Sequence, residues 1–293
     1  MILVELFKQA KSGLTSNQIK WIAVVFMTID HIGANAFDIQ MLAEHSWIFK
    51  LLGRIAAPLF LYMVTESCRH TKSKPRYIAR LYIAGVSVGL FTAVTNFLFG
   101  EVVGYYLHRN MIFTYFYTAL YIFLIENALL AIKEKNYKQL AVSILFIAAT
   151  YIPHLIYLWF GSLRFSQLTF RTSYFVQGLF RSFILSPFYI EYSLVFVLLG
   201  VAMYFSRTKF AQCAVFSFFC ILSYFGRSFV LQHNLSQISG LFGYPQYWMV
   251  LALPFMIFYN GKRGRSQKLF FYVYYPTHRY IISIIIHYLL YPM

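Results

Sequence analysis

The segment that decides the fold reads Met27-Thr28-Ile29-Asp30-His31-Ile32-Gly33. An acid and an imidazole stand side by side here, inside an apolar run long enough to cross a bilayer. A charged Asp at the centre of a membrane helix costs about 2.5–3.5 kcal/mol on insertion scales. A chain that keeps this pair at such a depth uses it inside the protein, either for chemistry or as an ion pair that fastens two helices.

The composition of the whole chain is that of a membrane protein. Of its 293 residues, 60% are hydrophobic and only 12% are charged, and the mean hydropathy is +0.61. A soluble domain carries about 25% charged residues, so the composition argues against a soluble enzyme. A formal net charge of +16 would suggest nucleic acid as the partner of a soluble protein. Here most cations fall in short loops, where they orient membrane spans, so the expected partner is the lipid bilayer and not nucleic acid.

Apolar runs of membrane length recur along the chain and predict an all-α, polytopic transmembrane bundle of about nine spans. The predicted spans are 18–38, 47–67, 77–99, 111–132, 139–160, 189–206, 210–231, 244–260 and 268–290. The stretch 161–188 contains three arginines and Pro187, which favours an interfacial or re-entrant segment over a further span. Because no linker or repeat interrupts the pattern, residues 1–293 are predicted to form a single integral membrane domain.

Basic residues alternate between loops and predict the orientation. They precede the first span and occupy every second loop, whereas the alternate loops 38–46, 100–110 and 232–243 contain only Arg109. Since Lys and Arg accumulate on the cytoplasmic side, we expect a cytoplasmic amino terminus.

Three of the predicted spans carry polar groups at a similar depth. At 1.5 Å per helical residue, Asp30 lies roughly 18 Å, Arg54 roughly 20 Å and His278 roughly 15 Å from the inner face. If these spans are neighbours, Asp30, His31, Arg54 and His278 form one group, which we call the polar cluster.

The polar cluster has the residue types that acid–base chemistry needs. A neutral imidazole can take a proton from an amine or a hydroxyl, and an arginine can stabilise an oxyanion. Adjacent helical residues point about 100° apart, so Asp30 can pair with Arg54 while His31 faces a cavity. The alternative is an Asp30–Arg54 ion pair with a purely structural role. No metal site is expected, since the cysteines Cys68, Cys213 and Cys220 have no ligand spacing.

A second feature is the loop Asn260-Gly261-Lys262-Arg263-Gly264-Arg265, which we call the basic loop. Its glycines permit tight turns, and three cations within four residues suit a phosphate-bearing cytoplasmic ligand. On composition alone, an ordinary orienting loop is the more economical interpretation.

Five segments together resemble the TraX family in order and spacing, nearly from end to end. They are Thr28–Gly33, Gly53–Pro58, Glu66 with His70 and Thr71, Tyr259–Gly264, and Tyr274–His278. The family is named for a conjugation protein that N-acetylates a pilin subunit, and it is similar, more distantly, to multispan acyltransferases that use coenzyme A. Two departures are Ala57, where a bulkier apolar residue is expected, and Arg279, which makes the surroundings of His278 less apolar.

The resemblance implies an acetyltransferase in the inner (cytoplasmic) membrane, with acetyl-CoA as the acyl donor and a peptide or glycan as the acceptor. It implies that either His31 or His278 is the base, that Arg54 stabilises the oxyanion and that Asp30 organises the site. The implied contacts to coenzyme A phosphates are Asn260, Lys262, Arg263, Arg265 and Arg76.

Two other functions fit the same residues. Intramembrane Asp and His also serve proton-coupled transporters and flippases, although these often contain repeated halves and the sequence shows no repeat. Alternatively, the polar cluster could hold helices together in a structural component of a conjugation or secretion assembly.

Overall fold

The computed structural model describes residues 13–35, 45–103, 110–162, 169–184, 186–188, 190–232, 246–265 and 267–290. Within these ranges the chain is built from helices, which confirms the all-α class. In chain order they are α1 (Ser16–Asn35), α2 (Ser46–Gly53), α3 (Ala56–His70), α4 (Lys74–Val103), α5 (Met111–Lys133), α6 (Tyr137–Ala149), α7 (Ile152–Ser162), α8 (Phe170–Phe183), α9 (Ser193–Phe205), α10 (Lys209–Gln232), a 3₁₀ helix (Gln246–Ala252), α11 (Leu253–Ile257) and α12 (Lys268–Leu290).

Several helical stretches are long and apolar enough to cross a membrane. Within the described ranges these are Trp47–His70, Lys74–Gly100, Met111–Lys133, Tyr137–Ile156 and Lys209–Phe229. They coincide with the second, third, fourth, fifth and seventh predicted spans. The chain is therefore a multi-pass membrane protein, while the count of nine spans and the cytoplasmic amino terminus stay predictions.

Two helices on predicted spans, α1 and α12, have 20 and 23 residues but are not among these apolar stretches. The other helices near predicted spans are shorter. Ser193–Phe205 and Gln246–Ile257 are apolar helices of 10–17 residues, and α8 has 14 residues. A 14-residue helix rises about 21 Å, less than the hydrocarbon thickness of about 30 Å. The length of α8 agrees with the expectation that 161–188 does not contain a full span.

The exposed face of α6 is apolar. Val142, Ile144, Leu145 and Phe146 are each at least half exposed, although all are large hydrophobic residues. Water-soluble proteins rarely expose such a patch, whereas lipid tails solvate it without cost.

The chain divides into two compact units, Met1–Glu66 with Phe205–Met293, and Ser67–Tyr204. In the first unit α1 packs against α2 and α12, and α10 packs against the 3₁₀ helix and α11. The polar cluster and the basic loop both belong to this unit, and Arg76 belongs to the second.

In the second unit α5 packs against α4 and α6, and α8 packs against α4. A polar contact fastens three of its helices: Glu126 of α5 accepts from Lys74 Nζ of α4 at 2.5 Å and from the hydroxyl of Tyr204 in α9.

Candidate functional site

The Asp30 side chain lies against the backbone of Gly53. A β-carbon at Gly53 would overlap the Asp30 carboxylate, so only glycine permits this approach of α1 and α2. The positive charges that act on Asp30 are those of Arg54, Lys50 and Arg279. Asp30 thus interacts electrostatically with Arg54, as the predicted depths of the two residues indicate. Lys50 and Arg279 are two further cations that the depth argument did not include.

A helix break places Arg54. The N–H groups of Arg54 and Ile55 bond to the carbonyls of Leu51 (3.2 Å) and Leu52 (3.1 Å), three residues back instead of four. Pro58 follows in the first turn of α3 and has no N–H to donate to the Arg54 carbonyl. The predicted second span is therefore interrupted between α2 and α3, at the residue that carries the guanidinium.

Arg54 also contacts Gln246, which nothing in the sequence singled out. Arg54 Nη1 donates to Gln246 Oε1 at 3.4 Å, and Gln246 is buried at the start of the 3₁₀ helix, 4% exposed. The two residues are 192 positions apart, and a neutral amide gives no charge or depth signal that could have paired them.

The two imidazoles of the polar cluster are neighbours. The ring centroids of His31 and His278 lie 4.8 Å apart, with the rings edge to face. On α12 the ring of Tyr274 stacks on His278 with centroids 5.0 Å apart and an interplanar angle of 11°. The His278 ring is thus held between two aromatic groups from two helices.

The tautomer of His278 follows from its hydrogen bond. Nδ1 lies 2.9 Å from the backbone carbonyl oxygen of Tyr274. A carbonyl only accepts, so Nδ1 carries the proton, and in the neutral ring Nε2 carries the free lone pair. Within the described part of the chain, Nε2 of His278 is buried and has no hydrogen-bond partner. A buried acceptor of this kind is suited to taking a proton from a bound molecule.

The basic loop is folded onto the start of α1. The N–H groups of Ser16 and Asn17 donate to the carbonyls of Lys262 (2.8 Å) and Arg263 (3.1 Å), which satisfies the first donors of the helix. Gly264 has a positive φ of 70° and lies against Thr15, where a side chain would clash. Because loop carbonyls occupy these helix N–H groups, a phosphate at this loop would depend on side-chain cations.

The cations of the basic loop are available for such a role. Lys262, Arg263 and Arg265 are exposed, as is Arg76 in the second unit. Asn260 is used differently, since its Oδ1 accepts from the N–H of Lys262 at 2.9 Å and its Nδ2 donates to the carbonyl of Gly13 at 3.2 Å. The geometry therefore gives Asn260 the task of shaping the loop.

Among the described residues, no group of three His, Cys, Asp or Glu side chains is arranged to hold a metal ion.

Membrane-length apolar helices, together with ionisable residues gathered inside one unit, define a multi-pass membrane protein with an internal polar site. A family model described as TraX protein matches residues 15–171, more than half of the chain. The chain belongs to the TraX family. The match includes Asp30, His31, Arg54 and Arg76, and it ends before the basic loop and His278. Comparisons with curated proteins and with solved structures give no match.

Proposed function

We propose that this protein is a membrane-embedded acetyltransferase that moves an acetyl group from acetyl-CoA to an amine or hydroxyl of a peptide or glycan. The observation that carries the proposal is the buried Nε2 of His278, an acceptor with no partner among the described residues, beside a second imidazole and an Arg–Asp group. The chain belongs to the TraX family, and acetyl transfer is what the resemblance to that family implies.

In the proposed reaction His278 is the general base. Its Nε2 takes a proton from the acceptor as the acceptor nitrogen or oxygen forms a bond to the thioester carbon. The resulting tetrahedral intermediate then breaks its carbon–sulfur bond. The thiolate of coenzyme A takes the proton back from the imidazolium, so the products are the acetylated acceptor and free coenzyme A.

Arg54 is placed to stabilise the negative charge on the thioester oxygen. Its guanidinium is held by Gln246 and acts on Asp30, so it is oriented before any substrate binds, which is what oxyanion stabilisation requires. Asp30 balances the cations around it, and His31 packs against the base.

The basic loop is the proposed site for the phosphates of acetyl-CoA. Lys262, Arg263 and Arg265 supply exposed cations for charge-assisted hydrogen bonds. The helix that carries His278 begins at Lys268, shortly after Arg265. His278 lies ten positions after Lys268 in this helix, a rise of about 15 Å. That distance suits the extended arm that joins the phosphates of coenzyme A to its thioester.

The proposed location is the inner membrane, with the basic loop in the cytoplasm. This follows from the positive-inside pattern and from the cytoplasmic source of acetyl-CoA.

The function can be tested with purified protein in lipid nanodiscs, acetyl-CoA labelled in the acetyl group, and two acceptors, a peptide with a free amino terminus and a hexosamine. We expect label on one acceptor with stoichiometric release of coenzyme A. Proton-coupled uptake of either acceptor by proteoliposomes without acetyl-CoA, and no labelled product, would contradict the proposal and favour a transporter.

A further inference from the structure

Tyr274 is the residue that connects the proposed base to the helix opposite. Its ring stacks on His278, its carbonyl accepts from His278 Nδ1, and its hydroxyl hydrogen-bonds to Thr28 Oγ1 on α1. Thr28 and Tyr274 are 246 positions apart in the sequence. Their hydrogen bond therefore connects α1 directly to α12. Asp30 and His31 follow Thr28 on the same helix.

The direction of the Thr28–Tyr274 hydrogen bond can be assigned. Thr28 Oγ1 lies 2.8 Å from the carbonyl oxygen of Val24, one turn earlier, and a carbonyl can only accept. The single proton of the Thr28 hydroxyl is therefore committed to Val24. It follows that the Tyr274 hydroxyl donates to Thr28 Oγ1.

We propose that Tyr274, anchored by Thr28, is a positioning residue that fixes the plane and the tautomer of His278, so that Nε2 presents its lone pair to the acceptor. This inference rests on the proposed function of His278 as the base. The hydroxyl of Tyr274 fixes the Tyr274 ring, the Tyr274 ring fixes the imidazole plane by stacking, and the Tyr274 carbonyl fixes the proton on Nδ1. Stacked aromatic pairs and single hydrogen bonds each have modest energies, so the three contacts act together.

The test uses paired substitutions that remove only the anchor. Tyr274→Phe keeps the ring and the carbonyl, and Thr28→Val keeps the shape of the threonine. Each is expected to lower kcat about tenfold, the effect of one lost hydrogen bond, with the KM for acetyl-CoA unchanged. The double variant is expected to be no slower than either single one, because both remove the same bond.

Two further variants distinguish anchoring from general damage. Thr28→Ser retains the hydroxyl and is expected to restore wild-type kcat. Thr95→Val is the matched control, because the Thr95 hydroxyl likewise donates to a carbonyl one turn earlier in its own helix, that of Phe91 at 2.7 Å, in the second unit. It is expected to leave kcat unchanged.

A readout independent of catalysis comes from nitrogen NMR of protein labelled with ¹⁵N-histidine. Wild-type protein is expected to show His278 as a single tautomer with the proton on Nδ1, and Tyr274→Phe and Thr28→Val are expected to show a mixture.

If both variants keep the single tautomer and full kcat, the inference is overturned. If Thr28→Ser is as impaired as Thr28→Val, it is overturned as well. If wild-type protein transfers no acetyl group but the tautomer still changes in the variants, the proposed function fails and the positioning role stands.

Discussion

Gly53 and Asp30 show how much of the site depends on single residues. Asp30 was recognisable from the sequence because an acid in an apolar helix is costly. Gly53 was not, because a glycine in a span gives no sign of what packs against it. Its role depends on the approach of Asp30 from another helix, which only the packed structure reveals.

Gly53→Ala is predicted to disturb both packing and catalysis. The added β-carbon would overlap the Asp30 carboxylate, and overpacking of this kind costs about 1–3 kcal/mol. The Asp30 side chain must then shift, which changes its position relative to Arg54. Thermal unfolding in detergent and acetyl transfer per folded molecule measure the two effects.

Gly85→Ala is the matched control, because a β-carbon there would overlap the Phe113 ring in the second unit. We expect it to lower the melting temperature similarly and to leave transfer per folded molecule intact. Equal transfer by the two variants would show that Gly53 has only a packing role.

At the scale of elements, the basic loop was visible in the sequence and its geometry was not. Two cations between glycines and a third directly after them are typical of a phosphate-binding loop or of a loop that orients membrane spans, and composition cannot separate the two. The carbonyls of the loop accept from the first N–H groups of α1, and these hydrogen bonds join residues 246 positions apart (262 − 16 and 263 − 17). The contact of Gln246 with Arg54 was likewise not predictable, since a neutral amide carries no charge that would pair it with a residue 192 positions away.

Replacing the three loop cations by glutamine (Lys262→Gln, Arg263→Gln and Arg265→Gln together) is predicted to raise the KM for acetyl-CoA at least about tenfold, since charge-assisted hydrogen bonds to phosphate are lost. The expected kcat is nearly unchanged, because the chemistry occurs at the polar cluster. Steady-state kinetics at low and high salt check this, and salt should weaken donor binding in the wild type more than in the variant.

The control for the loop removes three exposed cations elsewhere, through Lys133→Gln, Lys135→Gln and Lys138→Gln. This variant has the same net charge as the loop variant. If both raise the KM equally, the effect comes from overall charge and the basic loop is only an orienting loop.

At the scale of the whole molecule, the apolar runs were sufficient to predict a helical multi-pass protein, and the structure confirms that class. The predicted span 244–260 is less regular than expected. A 3₁₀ helix and the short α11 occupy its described part. A hydropathy profile shows that a segment is apolar, but it does not distinguish a 3₁₀ helix from an α-helix. The change of helix type within this span was therefore not predictable.

Orientation is predicted by the basic loops and can be tested by cysteine labelling. In a background without Cys68, Cys213 and Cys220, Gln237→Cys lies in a predicted outer loop, outside the described residues, and Lys135→Cys lies in a predicted inner loop. A membrane-impermeant maleimide is expected to label Gln237→Cys on intact cells and Lys135→Cys only after permeabilisation. The reverse pattern would place the amino terminus outside.

The most direct measurement of the central claim compares acetyl transfer by His278→Ala, His31→Ala and His154→Ala. His154 is the control, because its Nδ1 bonds to Ser186 in the second unit. A general base contributes about 10²- to 10⁴-fold, so His278→Ala is predicted to lose at least about a hundredfold in kcat, His31→Ala a smaller factor, and His154→Ala almost nothing. Full activity of folded His278→Ala would contradict the assignment of His278 as the base.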